Sequence, residues 1–337
     1  MKKIGFLSFG HYRDVPGARV RTAGDSLRQS IELAVAAEQA GMDGAWFRVH
    51  HFDQSLGAPT ALLAAAGART STIDLGTGVV DMRYENPLVM AENIASADLI
   101  SEGRVQLGVS RGSPEPAIDG QAAFGLDKQP GERWDEVARG RAERFRQAVS
   151  GVPMAHSQRA ATLDGPADLV VEPQSPGLDG RIWWGAGTIA TGEWAAEEGY
   201  HLLSSTLLLG DDGRPFHVQQ AEQIRRYRDR YAASGRTTGG LAAVTRPVFL
   251  ITNDDDRRYF AAQDERGDGR GILDNAKAVS GPTIAGSLDH VADRLSADEA
   301  ASEADYVLFA LPSQLGVEYN THLFENFVAL ARALGWK

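Results

Sequence analysis

ENPLVMAENIASADLISEGRVQLGVSRGS, residues 85–113, holds one complete helix-to-strand unit. The spacing predicts a helix over 87–101, opened by Pro87, whose fixed φ suits a first turn. A strand follows over 104–110 and closes on Ser110-Arg111-Gly112, so an arginine beside a glycine stands where the strand ends.

The same alternation runs outward in both directions. Upstream, strands are expected over 4–10, 44–49 and 73–80, with helices over 26–41 and 59–70. Downstream come a helix over 132–151 and strands over 181–187, 201–209, 241–252 and 305–312. Helices at 191–199, 214–234, 287–295 and 318–334 follow these strands. Strand-helix alternation forces a mainly parallel sheet, and eight such units are the count for an α/β (β/α)8 TIM barrel. An open doubly wound sheet would carry a glycine fingerprint after its first strand, but Gly10 is followed by HYRDVPG. The expectation is a single domain over 1–337, with insertions near 112–131, 152–180 and 253–283. The last of these holds six aspartates and four glycines and reads as a mobile, charged stretch.

Composition narrows the function classes. A net charge of −11 argues against a nucleic-acid surface. With no cysteine there are no disulfides or thiolate metal sites, which fits a cytoplasmic protein. No run of 18 apolar residues suggests a membrane span, and MKKIGFLSFGHYRD reads as a first strand rather than a signal peptide.

In a barrel the working groups sit at the C-terminal strand ends. WFRVHHFD (46–53) ends an apolar strand on His50 and His51, which should point to opposite faces. Strand three ends in Thr77-Gly78 and strand five in Gly185-Ala186-Gly187-Thr188. Glycines and hydroxyls opening a helix, and an arginine beside a glycine, are arrangements that receive a phosphate. A metal site built on His50, His51 and Asp53 would need two neighbouring strand residues to face one ion, so no metal is expected.

Across FRVHHFD (47–53), IDLGTGVV (73–80), the 85–113 segment, FGLD (124–127) and WWGAGTIATGEWAAEEG (183–199), the chain resembles the bacterial luciferase-like flavin monooxygenases over nearly its whole length. The resemblance implies a barrel that binds reduced FMN, supplied by a separate flavin reductase. That flavin uses O₂ through a C4a-peroxyflavin to oxidise a small organic substrate, an aldehyde or similar. It implies that Arg111, Arg133, Thr188 and Thr191 hold the FMN phosphate, and that Ala186 and Gly187 run beside the flavin. Thr77, Gly78 and Val79 would lie against its ring system, with a cis peptide at Gly78–Val79, and His50 would be catalytic. It further implies a homodimer through helices 59–70 and 87–101, and a loop after strand seven that closes over the flavin. One residue departs from the pattern: Val49 stands where the family usually has glutamate. An F420-dependent oxidoreductase on the same fold, and a flavin-binding protein without turnover, are the alternative readings.

Overall fold

The computed structural model describes residues 1–112, 117–157, 168–236, 239–263, 267–273 and 275–337. Parts of all three expected insertions, 113–116, 158–167, 264–266 and 274, lie outside the described residues.

Eight parallel strands form the barrel: β1 Lys3–Ser8, β2 Gly44–Phe47, β3 Asp74–Thr77, β4 Val105–Ser110, β5 Ile182–Ala186, β6 His201–Ser204, β7 Ala242–Arg246 and β8 Tyr306–Leu311. Each pairs in parallel with its neighbours in chain order, and β8 pairs with β1 to close the ring. The principal helices are α1 Ala23–Ala40, α2 Pro59–Gly67, α3 Pro87–Ile100, α4 Trp134–Val149, α5 Ile189–Glu198, α6 Phe216–Ala233, α7 Leu288–Ser296 and α8 Gly316–Ala333. They cover the outer face, as a parallel sheet requires. Among the described residues no helix is long and apolar enough to cross a membrane.

Two apolar layers hold this together. Between strands and helices lies a continuous core that includes Phe6, Phe47, Leu107, Phe309, Phe324 and Phe327. Inside the barrel, Leu7, Trp46, Trp183, Leu203, Tyr306 and Leu308 fill the lumen. Trp46 meets Trp183 and Tyr306 edge-to-face at 5.4 and 5.6 Å, the favoured aromatic geometry. The lumen is thus closed below, which leaves only its C-terminal mouth for a ligand.

The structure breaks three expected strands. The stretch 73–80 stops at Thr77 and resumes at Val80–Asp81, paired with β4. The stretch 241–252 is cut by Pro247, which lacks the N–H a ladder needs; Val248–Leu250 then pairs with Ile284–Gly286 outside the barrel. The stretch 201–209 leaves the barrel after Ser204, and Leu207–Leu209 pairs antiparallel with Ala278–Ser280.

That last pairing reaches into 253–283, the stretch read from the sequence as mobile and charged. It contains a helix, Asp254–Phe260, with an Asn253/Asp256 capping box, and an antiparallel hairpin, Gly269–Leu273 with Ala276–Ser280. Phe260 stacks on Phe249 at 3.8 Å, and fully buried Val279 packs with Leu208 and Phe216. Arg270 ties the hairpin to the Asp211 carboxylate. The 112–131 stretch likewise carries a short helix, Gly120–Ala123, and the described part of 152–180 pairs Ala155–His156 with Asp168–Leu169.

Candidate active site

The strand ends build a cavity of about 160 Å³ at the barrel mouth, lined by side chains from the ends of β1 to β7. β2 delivers His50 to it. Past Phe47 the backbone keeps one ladder bond, Arg48 N–H to Ser8 O at 2.9 Å, then turns so that His50 N–H bonds Leu56 O at 2.9 Å. His50 lines the mouth, and Val49, almost fully buried, lines it beside His50. His51 leaves in the other direction. Its ring packs 4.4 Å from Tyr84 and 5.1 Å from Phe124, and it lines a separate groove between α2 and α3. Among the described residues no group of three or more side chains is placed to hold a metal ion.

Just past β3, the strand beside β2, the Gly78–Val79 peptide is cis, as the resemblance implies, and both residues line the cavity. Thr77 does not. It is fully buried, and its hydroxyl donates to Gly108 O at 2.8 Å and accepts from Gly108 N–H at 3.0 Å. Its side chain therefore closes the seam between β3 and β4 rather than facing a ligand.

A second pocket of about 230 Å³ adjoins the first and shares Ser110, Gly112 and Gly185 with it. Arg111, Arg133, Thr188 and Thr191 all line this pocket, although they come from three separate stretches of chain. Thr188 is the N-cap of α5: its hydroxyl oxygen accepts from Thr191 N–H at 3.1 Å and its O–H donates to Thr191 Oγ1 at 2.9 Å. The helix therefore opens on hydroxyls and on the positive end of its dipole. Two glycines keep the junction open. A Cβ on Gly112, which has φ 81°, would lie 1.9 Å from Asp81 Oδ2; one on Gly185 would press on Val79 at 3.1 Å and Ser110 at 3.2 Å. Ala186 is fully buried and Gly187 carries the next turn, its carbonyl accepting from Leu209 N–H at 2.8 Å. Both stand beside the pocket without lining it.

Charge is distributed unevenly. Arg133 is 71% exposed and grips Asp135 through Nε and Nη2, both at 3.0 Å. Hydrogen bonding to that guanidinium, against a smaller effect of burial, holds the Asp135 carboxyl below its ordinary range. In the central cavity the acidic group is Asp81, which Arg83 binds at 2.6–3.0 Å.

Sequence reasoning missed several lining residues. Arg48 lines the cavity with its guanidinium 4.8 Å from the Phe9 ring centroid, and Thr206 and Thr245 add hydroxyls. Arg139 lines the second pocket, its guanidinium 4.3 Å over the Trp194 ring. The available signal was Asp135 and Arg139 at i,i+4, a pair that shares one helix face.

A sequence model of the luciferase-like monooxygenase family matches residues 4–305. The chain is 24% identical to the oxygenase component of flavin-dependent trigonelline monooxygenase from Acinetobacter baylyi, over 82% of this chain and 81% of that one. It is 36% identical to F420-dependent glucose-6-phosphate dehydrogenase from Amycolatopsis mediterranei, over 28% of this chain and 31% of that one. Other relatives are matched over only part of their length, 50% of one and 29% of another. Among solved structures, the oxygenating constituent of 3,6-diketocamphane monooxygenase from Pseudomonas putida, in complex with FMN, superposes with a TM-score of 0.68 at 16% identity. That likeness covers 98% of this chain and 97% of that one, and it speaks to the fold. With the matched segment spanning the barrel from β1 to the start of β8, the chain belongs to the luciferase-like monooxygenase family.

Proposed function

We propose that this protein is a flavin-dependent monooxygenase that takes reduced FMN from a separate reductase and uses O₂ to oxidise a small organic substrate. One observation carries the reading. Arg111, Arg133, Thr188 and Thr191 meet in one pocket, and that pocket opens into the cavity lined by His50, Gly78 and Val79. A phosphate-receiving site joined to an apolar-walled mouth is the shape a flavin mononucleotide needs.

The bound flavin would supply the activation of oxygen. The chain supplies the rest. Arg111 and Arg133 offer positive charge and guanidinium N–H groups, and Thr188 and Thr191 offer hydroxyls, to the phosphate. Gly78 and Val79 form the wall against the ring system, and Leu7, Val49 and Leu203 exclude water. His50 is the group that moves a proton at the reacting centre, since it is the imidazole among the residues that line the mouth. Val49 leaves no carboxylate directly before it, so proton traffic passes through the imidazole without that partner. Two chains would associate through α2 and α3, where Val89, Leu99 and Ile100 are 51, 45 and 51% exposed.

Oxygen uptake tests this. The protein is supplied with FMN, NADH and an added flavin reductase, and screened against small aldehydes and ketones. Substrate-dependent uptake that falls in His50→Ala is expected. Hydride transfer with F420 and no use of oxygen would support the F420-dependent reading instead.

A further inference from the structure

The inference rests on the reading that the second pocket takes a cofactor's phosphate, and it concerns which phosphate. Among the described residues lining that pocket, three are guanidiniums, Arg111, Arg133 and Arg139, and one is a carboxylate, Asp135. Arg139 is held in place: it lies 4.3 Å over Trp194, which packs edge-on against Trp184 at 4.6 Å, and Trp184 lines the same pocket. A guanidinium fixed against a ring loses less freedom when it binds a ligand. Asp135 is bound bidentate by Arg133 and stands four residues before Arg139 on α4. It is the one carboxylate against three guanidiniums in the described lining.

We infer that Arg139 is the third arm of this pocket and makes it selective for a terminal, dianionic phosphate monoester over a phosphodiester. A monoester has a second pKa of about 6 and carries nearly two negative charges at neutral pH. A diester carries one. The flavin mononucleotide ends in a monoester, whereas in F420 the equivalent phosphate is esterified onward into a tail. Each further guanidinium favours the more highly charged phosphate, so losing Arg139 costs the monoester more than the diester.

The full chain is tested with FMN, riboflavin and inorganic phosphate at pH 5.0 and 7.5. In the wild type, the preference for FMN over riboflavin should grow as pH rises and the phosphate gains its second charge. In Arg139→Gln this preference should fall by about tenfold at pH 7.5, change little at pH 5.0, and leave riboflavin affinity alone. Arg139→Lys, which keeps the charge without the planar stack on Trp194, should lie between. Inorganic phosphate, measured by calorimetry, reads the pocket without any flavin. If FMN does not bind but phosphate binds in the same pH- and Arg139-dependent way, the flavin reading fails and the dianion site stands. A wild-type preference that is flat with pH, or one unchanged in Arg139→Gln with the fold intact by circular dichroism, overturns the inference.

Discussion

His50 and His51 are neighbours in sequence but line different cavities: His50 faces the barrel mouth, and His51 packs on Tyr84 in the groove between α2 and α3. The separation arises past the end of β2 at Phe47, where the backbone turns so that His50 N–H bonds Leu56 O. It predicts different phenotypes. His50→Ala should lower turnover by roughly 10²–10⁴, the range for losing a positioned acid or base, and leave flavin affinity within a few-fold. His51→Ala should act mainly on stability or association. Turnover at saturating reduced flavin, measured beside melting temperature, separates the two; a dead His51→Ala with an active His50→Ala would reverse the assignment.

Association should involve the groove that His51 lines. It is rimmed by exposed Ile100 and by Phe124, and it contains Glu85, whose pKa burial and then Asp81 raise to about 7. Light scattering at micromolar concentration should give twice the 36.2 kDa chain mass, and Ile100→Lys should weaken the dimer. A 36.2 kDa species for the wild type would refute it.

The hairpin 269–280 should respond to flavin, because its inner strand holds Leu207–Leu209 and Leu209 lines the second pocket. Limited proteolysis should cut first near its tip, where Ile272 is 80% exposed, and FMN should slow the cut. First cleavage elsewhere, or no protection by FMN, counts against a lid.

His201, the first residue of β6, should contribute to acid sensitivity. Burial, partly offset by a backbone hydrogen bond at Gly180, lowers its pKa to about 4. A depressed histidine pKa means the fold prefers the neutral ring. Its contribution is full above the ordinary value of 6.5 and is lost as pH falls from there through about 4. Unfolding free energy should therefore drop by roughly 2 kcal/mol from this residue between pH 7 and pH 5. Denaturant titrations should show a smaller drop in His201→Gln; an equal drop would assign the acid sensitivity to other groups.

The barrel was legible because its signal is local: each strand and each helix announces itself by its own period, as in 87–110. Its interruptions were partly legible, since Pro247 stands in plain view inside an expected strand. The hairpin was not. Gly269–Ser280 is glycine-rich and charged, and what orders it is pairing with Leu207–Leu209, some 70 residues earlier in the chain. The site divides the same way. Arg111 and Thr188 mark strand and helix ends, so position alone singles them out. Arg139 sits inside a helix and gains its place only through Trp194, a contact between α4 and α5. Thr77 shows the converse: a polar residue at a strand end whose hydroxyl is spent inside the wall.

The most direct test of the central claim is a binding titration of the wild type and Arg111→Ala with reduced FMN and with F420. The wild type should bind reduced FMN more tightly than F420. Arg111→Ala should raise the dissociation constant for reduced FMN by at least about tenfold, or ~1.4 kcal/mol, with the fold intact by circular dichroism. Tight binding of F420 with none of FMN, or an affinity for reduced FMN indifferent to Arg111, would contradict it.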